Sequence, residues 1–167
     1  MSVYYIGVDP GWTNFAWAAL GDDGSLTTGV TRPKESKEPS AVNELSFYLR
    51  NRAVPASVSG AVMERFVYYN GVHNPNSEQI LMVTGQVQQY LYSEYGIVPK
   101  MVKAYDWKNR LCKVLYRKGF RNPSDSFDKV FSLAAARFIF PDYEFKTDHE
   151  ADAACMAYIA SIMKGEE

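Results

Sequence analysis

Three carboxylates stand where an apolar run has least reason to carry one. Asp9 closes the run Ile6-Gly7-Val8 just before Pro10-Gly11, and Glu64 closes the run from Val58 to Met63. The third, Asp152, lies within Asp148-His149-Glu150-Ala151-Asp152-Ala153-Ala154, on the same helical side as the apolar Met156, Ile159 and Met163. Taken singly, the first reads as a turn residue and the second as a strand end pointing into water. The third run alone reads as an acidic first turn favoured by the helix dipole. Brought together at one sheet edge they would do different chemistry. Close carboxylates repel one another and retain protons unless a divalent cation neutralises them. Oxygen ligands with little else suit Mg²⁺ or Mn²⁺, and two such ions roughly 4 Å apart stabilise the attacking water and the leaving oxygen of a phosphodiester. His149 and Asp148 stand three and four residues before Asp152, so either shares its helical face.

The surrounding pattern supplies elements to position these residues. Strand-prone runs at Val3 to Asp9, Asn14 to Leu20 and Leu26 to Thr31, joined by Pro10-Gly11 and Gly21-Asp22-Asp23-Gly24, predict a three-stranded antiparallel meander. The segment Arg32 to Pro39 reads as a polar surface loop. Ser40 is expected to cap a helix carrying Val42, Leu45 and Leu49, and Val58 to Met63 predicts a buried strand. Asn76 and Gln79 form a capping pair that opens a helix through about Tyr95, striped by Ile80, Val83, Val87 and Leu91. Val98 to Tyr105 predicts a further strand. Helices are expected at about 107 to 118, 125 to 139 and 149 to 163, the second presenting Phe127, Phe131, Ala134 and Phe138 on one face. Small Ala151, Ala153 and Ala154 would let the last helix lie close against a sheet. The order βββαβαβα, with extra helix near the end, implies an α/β fold with a mixed sheet and helices on its faces.

With 167 residues and 47% hydrophobic composition, one domain over residues 1–167 with a sizeable core is expected. Cys112 and Cys155 lack CxxC partners and read as reduced packing residues. The N-terminus lacks a basic, then apolar, signal-peptide pattern and the apolar runs are broken by charge, so a cytoplasmic protein without membrane association is expected. No phosphate-cradling Gly-rich loop is present, which argues against a nucleotide cofactor, and Ala153 stands where a zinc-protease motif beginning at His149-Glu150 needs its second histidine. Residues 100 to 121 hold Lys100, Lys103, Lys108, Arg110, Lys113, Arg117, Lys118 and Arg121 against Asp106 alone, a local +7 that leaves −8 for the rest of a chain of net charge −1. Such a strip is either a solvated helix face or a surface that captures phosphates by releasing their counterions.

Five pieces together resemble the RuvC-type Holliday junction resolvases of the RNase H-like superfamily, especially their small phage versions. They are Ile6-Gly7-Val8-Asp9-Pro10-Gly11, Val62-Met63-Glu64 before an aromatic loop, Trp107-Lys108 after a strand, Asp128-Lys129 inside a helix, and His149-Glu150-Ala151-Asp152-Ala153. They occur in family order over roughly residues 3 to 160. The resemblance implies a five-stranded RNase H-like sheet and a two-metal endonuclease using Mg²⁺ or Mn²⁺, with Asp9, Glu64 and Asp152 as ligands. It implies a fourth ligand or water-activating helper at His149, with Asp148 the adjacent rival. It places Lys108 and Lys129 at phosphates near the metals, and gives the basic strip, with Lys113, Arg117 and Lys118, a role in holding DNA arms. An aromatic of the Arg65 to His73 loop, Tyr68 or Tyr69 with Phe66 as competitor, would enter the junction point, while Trp107 is left open as a core residue. The family's homodimer matches paired nicks across a two-fold junction, and the Asn76 to Tyr95 helix, with Gly85 permitting close approach, is the expected dimer element.

Two other readings share these residues. Another RNase H-like nuclease, such as a YqgF-type RNA-processing factor or a broad debranching enzyme, would use the same acids on a different substrate. A non-catalytic junction-binding protein would need none of the acids, whereas all three positions carry one.

Overall fold

The structure is a computed structural model and describes residues 2–36, 42–51, 56–67 and 75–164. Strands β1 (Ser2–Asp9), β2 (Phe15–Gly21) and β3 (Leu26–Thr31) form the expected antiparallel meander. A one-turn helix α1 (Pro33–Ser36) follows within the segment read as loop, its proline at the first helical position where the missing N–H costs nothing. Then come α2 (Asn43–Arg50), β4 (Ala56–Glu64), α3 (Ser77–Tyr95), β5 (Lys100–Val102), α4 (Ala104–Tyr116), α5 (Lys129–Ile139) and α6 (Asp148–Lys164). The sheet order is β3-β2-β1-β4-β5, with β4 and β5 parallel to β1.

Several expectations change in detail. Ser40 lies outside the described residues, and Val42 occupies the cap position of α2 without a side-chain bond. Asn76 does precede α3, but its side chain makes no capping bond to the helix. The strand expected from Val98 to Tyr105 shrinks to Lys100–Val102, because burying Trp107, Leu111 and Leu115 at four-residue spacing winds the chain into α4 from Ala104. Asp128 is not inside a helix. It caps α5, accepting from the Val130 and Phe131 amides, and the residues before it are held by serine and asparagine bonds that compete with helix. The buried face of α5 is accordingly rotated to Phe131, Ser132, Ala135 and Ala136, and Phe138 is exposed.

Alternation along the strands decides which face each acid enters. Tyr4, Ile6 and Val8 of β1, with Phe15 and Trp17 of β2, pack under α2 and α3 against Leu45, Leu49, Val83, Val87 and Leu91. Ala16, Ala18 and Val62 face the other way, toward α4, α5 and α6. Asp9 follows Gly7 by two residues and Glu64 follows Val62 by two, so both carboxylates project toward α6. For Glu64 this needs an irregularity. The β1–β4 register steps from Tyr4↔Val58 to Tyr5↔Gly60, leaving Ser59 as an extra residue. Val58, three residues before Ala61, can then share its face, whereas unbroken alternation from Val58 would turn Glu64 to the opposite side.

Helix α6 packs on β1, β2 and β4. A Cβ on Gly7 would collide with the Ala153 carbonyl and the Ala157 amide, both backbone atoms. Gly7→Ala is therefore expected to cost about 1–3 kcal/mol by overpacking, read as a fall in Tm of roughly 2–4 °C for each kcal/mol. An unchanged Tm would mean that α6 is not seated this closely.

Candidate active site

The ends of β1 and β4 lie level, with Gly7 opposite Val62 and Val8 opposite Met63, and Asp9 and Glu64 are the last residues of the two strands. The first turn of α6 closes over them. His149 Nδ1 lies 2.8 Å from Asp9 Oδ2, and its Nε2 lies 3.5 Å from Asn14 Nδ2. The Trp107 indole N–H donates to Glu64 Oε2 at 2.8 Å. Lys108, buried, reaches Asp152 Oδ2 at 3.4 Å and donates to the Phe127 carbonyl at 3.5 Å. Asp9, Glu64, His149, Asp152 and Lys108 are thus gathered in one site, whereas Asp148 bears on it only through its charge on His149.

The acids perturb one another as close like charges must. Burial first, then the charges of Asp9 and Asp152, push Glu64 up to about 7, against the opposing Trp107 bond and Lys108. Burial and Asp9 push Asp152 up to about 6, opposed by Lys108. The hydrogen bond to Asp9 raises the His149 pKa, with burial opposing.

The start of α6 is fixed by a residue that the sequence reading passed over. Thr147 Oγ1 accepts from the Glu150 amide at 3.1 Å, while Glu150 Oε2 accepts from the Thr147 amide at 3.2 Å and the Lys146 amide at 2.8 Å. This is a capping box, and Thr-x-x-Glu was its legible signal. Glu150 Oε1 also accepts from Thr28 Oγ1 of β3 at 3.1 Å, so the buried carboxylate ties the helix start to the far side of the sheet. Asn14 and the Trp107 bond to Glu64 were also missed, and no local pattern marks either.

The donor set fits a hard divalent cation. Asp152 Oδ1 is buried without a hydrogen-bond partner, and carboxylates holding protons into the neutral range would release them to such a charge. Among the described residues no three His, Cys, Asp or Glu side chains already converge as a ready cage. Asp9, Glu64 and Asp152 each spend one oxygen on His149, Trp107 or Lys108.

Of the other expected contacts, Lys113, Arg117, Lys118 and Lys129 are exposed. Lys118 donates to the Tyr158 hydroxyl at 2.7 Å and Arg121 lies over the Tyr116 ring at 4.2 Å, so part of the basic strip folds back on the protein. Lys108 does not belong to that outer strip. Trp107 is a core residue and at the same time the donor to Glu64. Phe66 is half-buried, and Tyr68 and Tyr69 lie outside the described residues. Cys112 and Cys155 are free thiols, and among the described residues no helix is long and apolar enough to cross a membrane.

A mixed five-stranded sheet with acids at two central strand ends and on a helix crossing them defines an α/β fold of the RNase H-like kind. No family model and no curated protein sequence matches the chain. Solved structures do: Thermus thermophilus RuvC, at TM-score 0.63 and 18% identity over 99% of this chain and 96% of that one, and T. thermophilus RuvC in complex with a Holliday junction substrate, at TM-score 0.63 and 17% identity over the same shares. The resemblance carried by the five sequence pieces is therefore a likeness of fold across nearly the whole chain.

Glu64 makes the cost of burying a charge beside other acids measurable. The folded protein keeps a proton on this carboxyl up to about pH 7, whereas the unfolded chain releases it near 4.5, so unfolding releases a proton across that window. In chelating buffer, stability is expected to fall as pH rises from 4.5 to about 7, with Asp152 contributing to the lower part. Glu64→Gln keeps an acceptor for Trp107 without the charge, and is expected to flatten the upper part and add about 1–3 kcal/mol above neutrality. Denaturant titrations across this range test it, and an unchanged slope in the variant would clear Glu64.

Proposed function

We propose that this protein is a metal-dependent endodeoxyribonuclease that resolves branched DNA, four-way Holliday junctions foremost, by paired nicks. The observation that carries this reading is that Asp9, Glu64 and Asp152 stand at one sheet end within reach of one another's charge, where burial first and that charge second keep Glu64 and Asp152 protonated toward neutrality. The likeness to RuvC supports the choice of substrate.

Asp9, Glu64 and Asp152 would hold the cations, two Mg²⁺ or Mn²⁺ ions per site, with His149 as the water-activating helper rather than as a fourth ligand. These ions would supply charge for the attacking water and the leaving oxygen of the phosphodiester. The chain's own groups do the rest. Asp9 fixes the proton of His149 on Nδ1, which leaves Nε2 beside Asn14 to accept a proton from the attacking water. Trp107 holds the Glu64 carboxylate in one orientation, as a second partner commonly does for a ligand. Lys108 places a fixed positive charge among the acids, where the phosphate arrives. Water adds to phosphorus, the bond to the leaving strand breaks, and its oxygen takes up a proton.

Outside the site, Lys113, Arg117, Lys118 and Lys129 would neutralise the phosphates of the DNA arms, and Phe66, Tyr68 or Tyr69 would enter the junction centre. Two nicks related by symmetry call for two sites, so the working form is a homodimer. Leu81, Met82 and Tyr92 are exposed on α3, and the space above Gly85 is open to a neighbour. Residues 1–167 would act as one nuclease domain in the cytoplasm, that of the host if a phage encodes the chain.

Four-way, three-way, flap and linear DNA, with an RNA–DNA hybrid, should be compared in Mg²⁺ and Mn²⁺. The four-way junction is expected to be cut best, with nicks in opposed strands. Asp9→Asn is expected to lower cleavage by at least about 10²–10³-fold while retaining junction binding in a gel-shift assay. Equal cutting of linear duplex would remove the junction preference, and full cleavage by the variant would remove the carboxylate site.

A further inference from the structure

Glu150 is a buried acid that the hydrolysis described above does not use. It lies in the first turn of α6, next to His149, and its donors are neutral. Oε2 accepts from the Lys146 amide at 2.8 Å and the Thr147 amide at 3.2 Å, and Oε1 accepts from the Thr28 hydroxyl at 3.1 Å. A helix start that needs only a cap requires the reciprocal Thr147–Glu150 bonds, and an exposed glutamate makes them equally well. Burial adds a desolvation penalty. What the buried position gains is the bond to β3 and the bond to the Lys146 amide, neither of which the cap requires.

The β3 end of this connection is itself braced. Thr28 donates its single hydroxyl proton to Glu150, so the 2.8 Å bond between Thr28 Oγ1 and the Tyr143 hydroxyl has Tyr143 as its donor. The Tyr143 oxygen in turn accepts from the Thr28 amide at 3.2 Å, on a strand that pairs with β2 alone. The direction of each bond is therefore set, from Tyr143 through Thr28 to Glu150.

The Gly7 contact holds α6 at Ala153 and Ala157, about one and two turns beyond His149. The bearing of the first turn is left to the bonds at the helix start. The His149 imidazole stands roughly 5–6 Å from the helix axis, so a rotation of about 10° in that turn carries it about 1 Å. Such a shift would part His149 Nδ1 from Asp9 Oδ2, now 2.8 Å away. Misplacing a catalytic group by about 1 Å lowers a rate on the order of 10²-fold.

We propose that Glu150 is a positioning residue of the nuclease reaction: tied through Thr28 to Tyr143, it fixes the rotation of the first turn of α6 and so holds His149 against Asp9. The proposal rests on the nuclease reading above, and adds to it a residue that acts only through another.

Cleavage is measured with four-way junction and Mg²⁺ both saturating. Glu150→Ala is expected to lower kcat by about 10²-fold, while KM and junction binding in a gel shift change by less than about twofold. Glu150→Gln is expected to keep kcat within about threefold of wild type. Its carbonyl takes the two backbone amides, its NH₂ donates to Thr28, and the Thr28 and Tyr143 hydroxyls turn round, so the bonds survive without the charge. Thr28→Val, which leaves α6 untouched, is expected to lower kcat about tenfold, and it decides the matter if Glu150→Ala does not fold. Unchanged kcat in the Ala and Val variants, a loss confined to KM, or a loss in Glu150→Gln as large as in Glu150→Ala overturns the proposal.

If the wild type cuts no branched DNA, the nuclease reading has failed, and the His149 ring decides the positioning separately. The chain has two histidines, so the His149 ring nitrogens are assigned in ¹⁵N spectra by comparison with His149→Gln. In chelating buffer at alkaline pH the ring proton is expected on Nδ1 in the wild type and in Glu150→Gln, and to move toward Nε2 in Glu150→Ala and Thr28→Val. The same tautomer in all of them overturns the proposal.

Discussion

Because Gly7 has no Cβ, the Ala153 carbonyl and Ala157 amide occupy the space where one would stand, and α6 rests on the backbone of β1. Only a helix face of small residues can approach this closely, and Ala151, Ala153, Ala154, Ala157 and Ala160 provide one. The approach sets where the first turn of α6 ends up. At ordinary helix-to-sheet separation His149 would not reach Asp9 at 2.8 Å. The packing of one glycine thus bears directly on the meeting of His149 with Asp9. The Thr147–Glu150 box then keeps that first turn from fraying at the point where it carries His149.

What this packing brings together, charge pushes apart. Glu64 and Asp152 hold protons well above the ordinary carboxylate range because each is buried near other acids. An arrangement selected for stability alone would replace one of them with an amide or an apolar group. Lys108 and the Trp107 indole offset part of the repulsion, and each also orients the carboxylate it touches. Strain of this kind, concentrated at one sheet end in an otherwise well-packed chain, is characteristic of sites built to bind something of opposite charge. The rest of the molecule supplies the compensating stability, with an apolar layer on each face of the sheet.

Much of this was legible in the residues, and the limits were physical. The strand-end acids stood out because a charge closing an apolar run is costly, and Asp152 stood out because helical period placed it with Met156 and Ile159. Period also located α3, α4 and α6. It could not reveal the extra residue at Ser59, since a bulge is decided by pairing with β1, and that bulge is what turns Glu64 toward the site. Nor could it show Trp107 reaching back to Glu64 or Asn14 meeting His149, contacts between residues 43 and 135 positions apart. Local chemistry misled in two places. Tyr105 has the character of a strand residue but sits in a helix wound by the burial of Trp107, Leu111 and Leu115, and Phe127 and Phe138 looked like one helical stripe although Asp128 starts the helix after the first of them.

The lysines show why a single count of basic charge is a poor guide to function. Lys108 counts toward the +7 of its segment, yet it is buried and engaged with an acid, so its charge serves the site and is shielded from added salt. Lys113 and Arg117 lie in solvent, where their attraction for a polyanion is long-ranged but screened. Such charges can hold many DNA shapes and discriminate among few. Groups whose geometry is fixed differ in kind from these: the acids at the strand ends, and Lys108 held beside Asp152. Asp9 and Glu64 end β1 and β4, Asp152 stands on α6 and Lys108 on α4, and the core between sheet and helices holds these segments in a fixed relation.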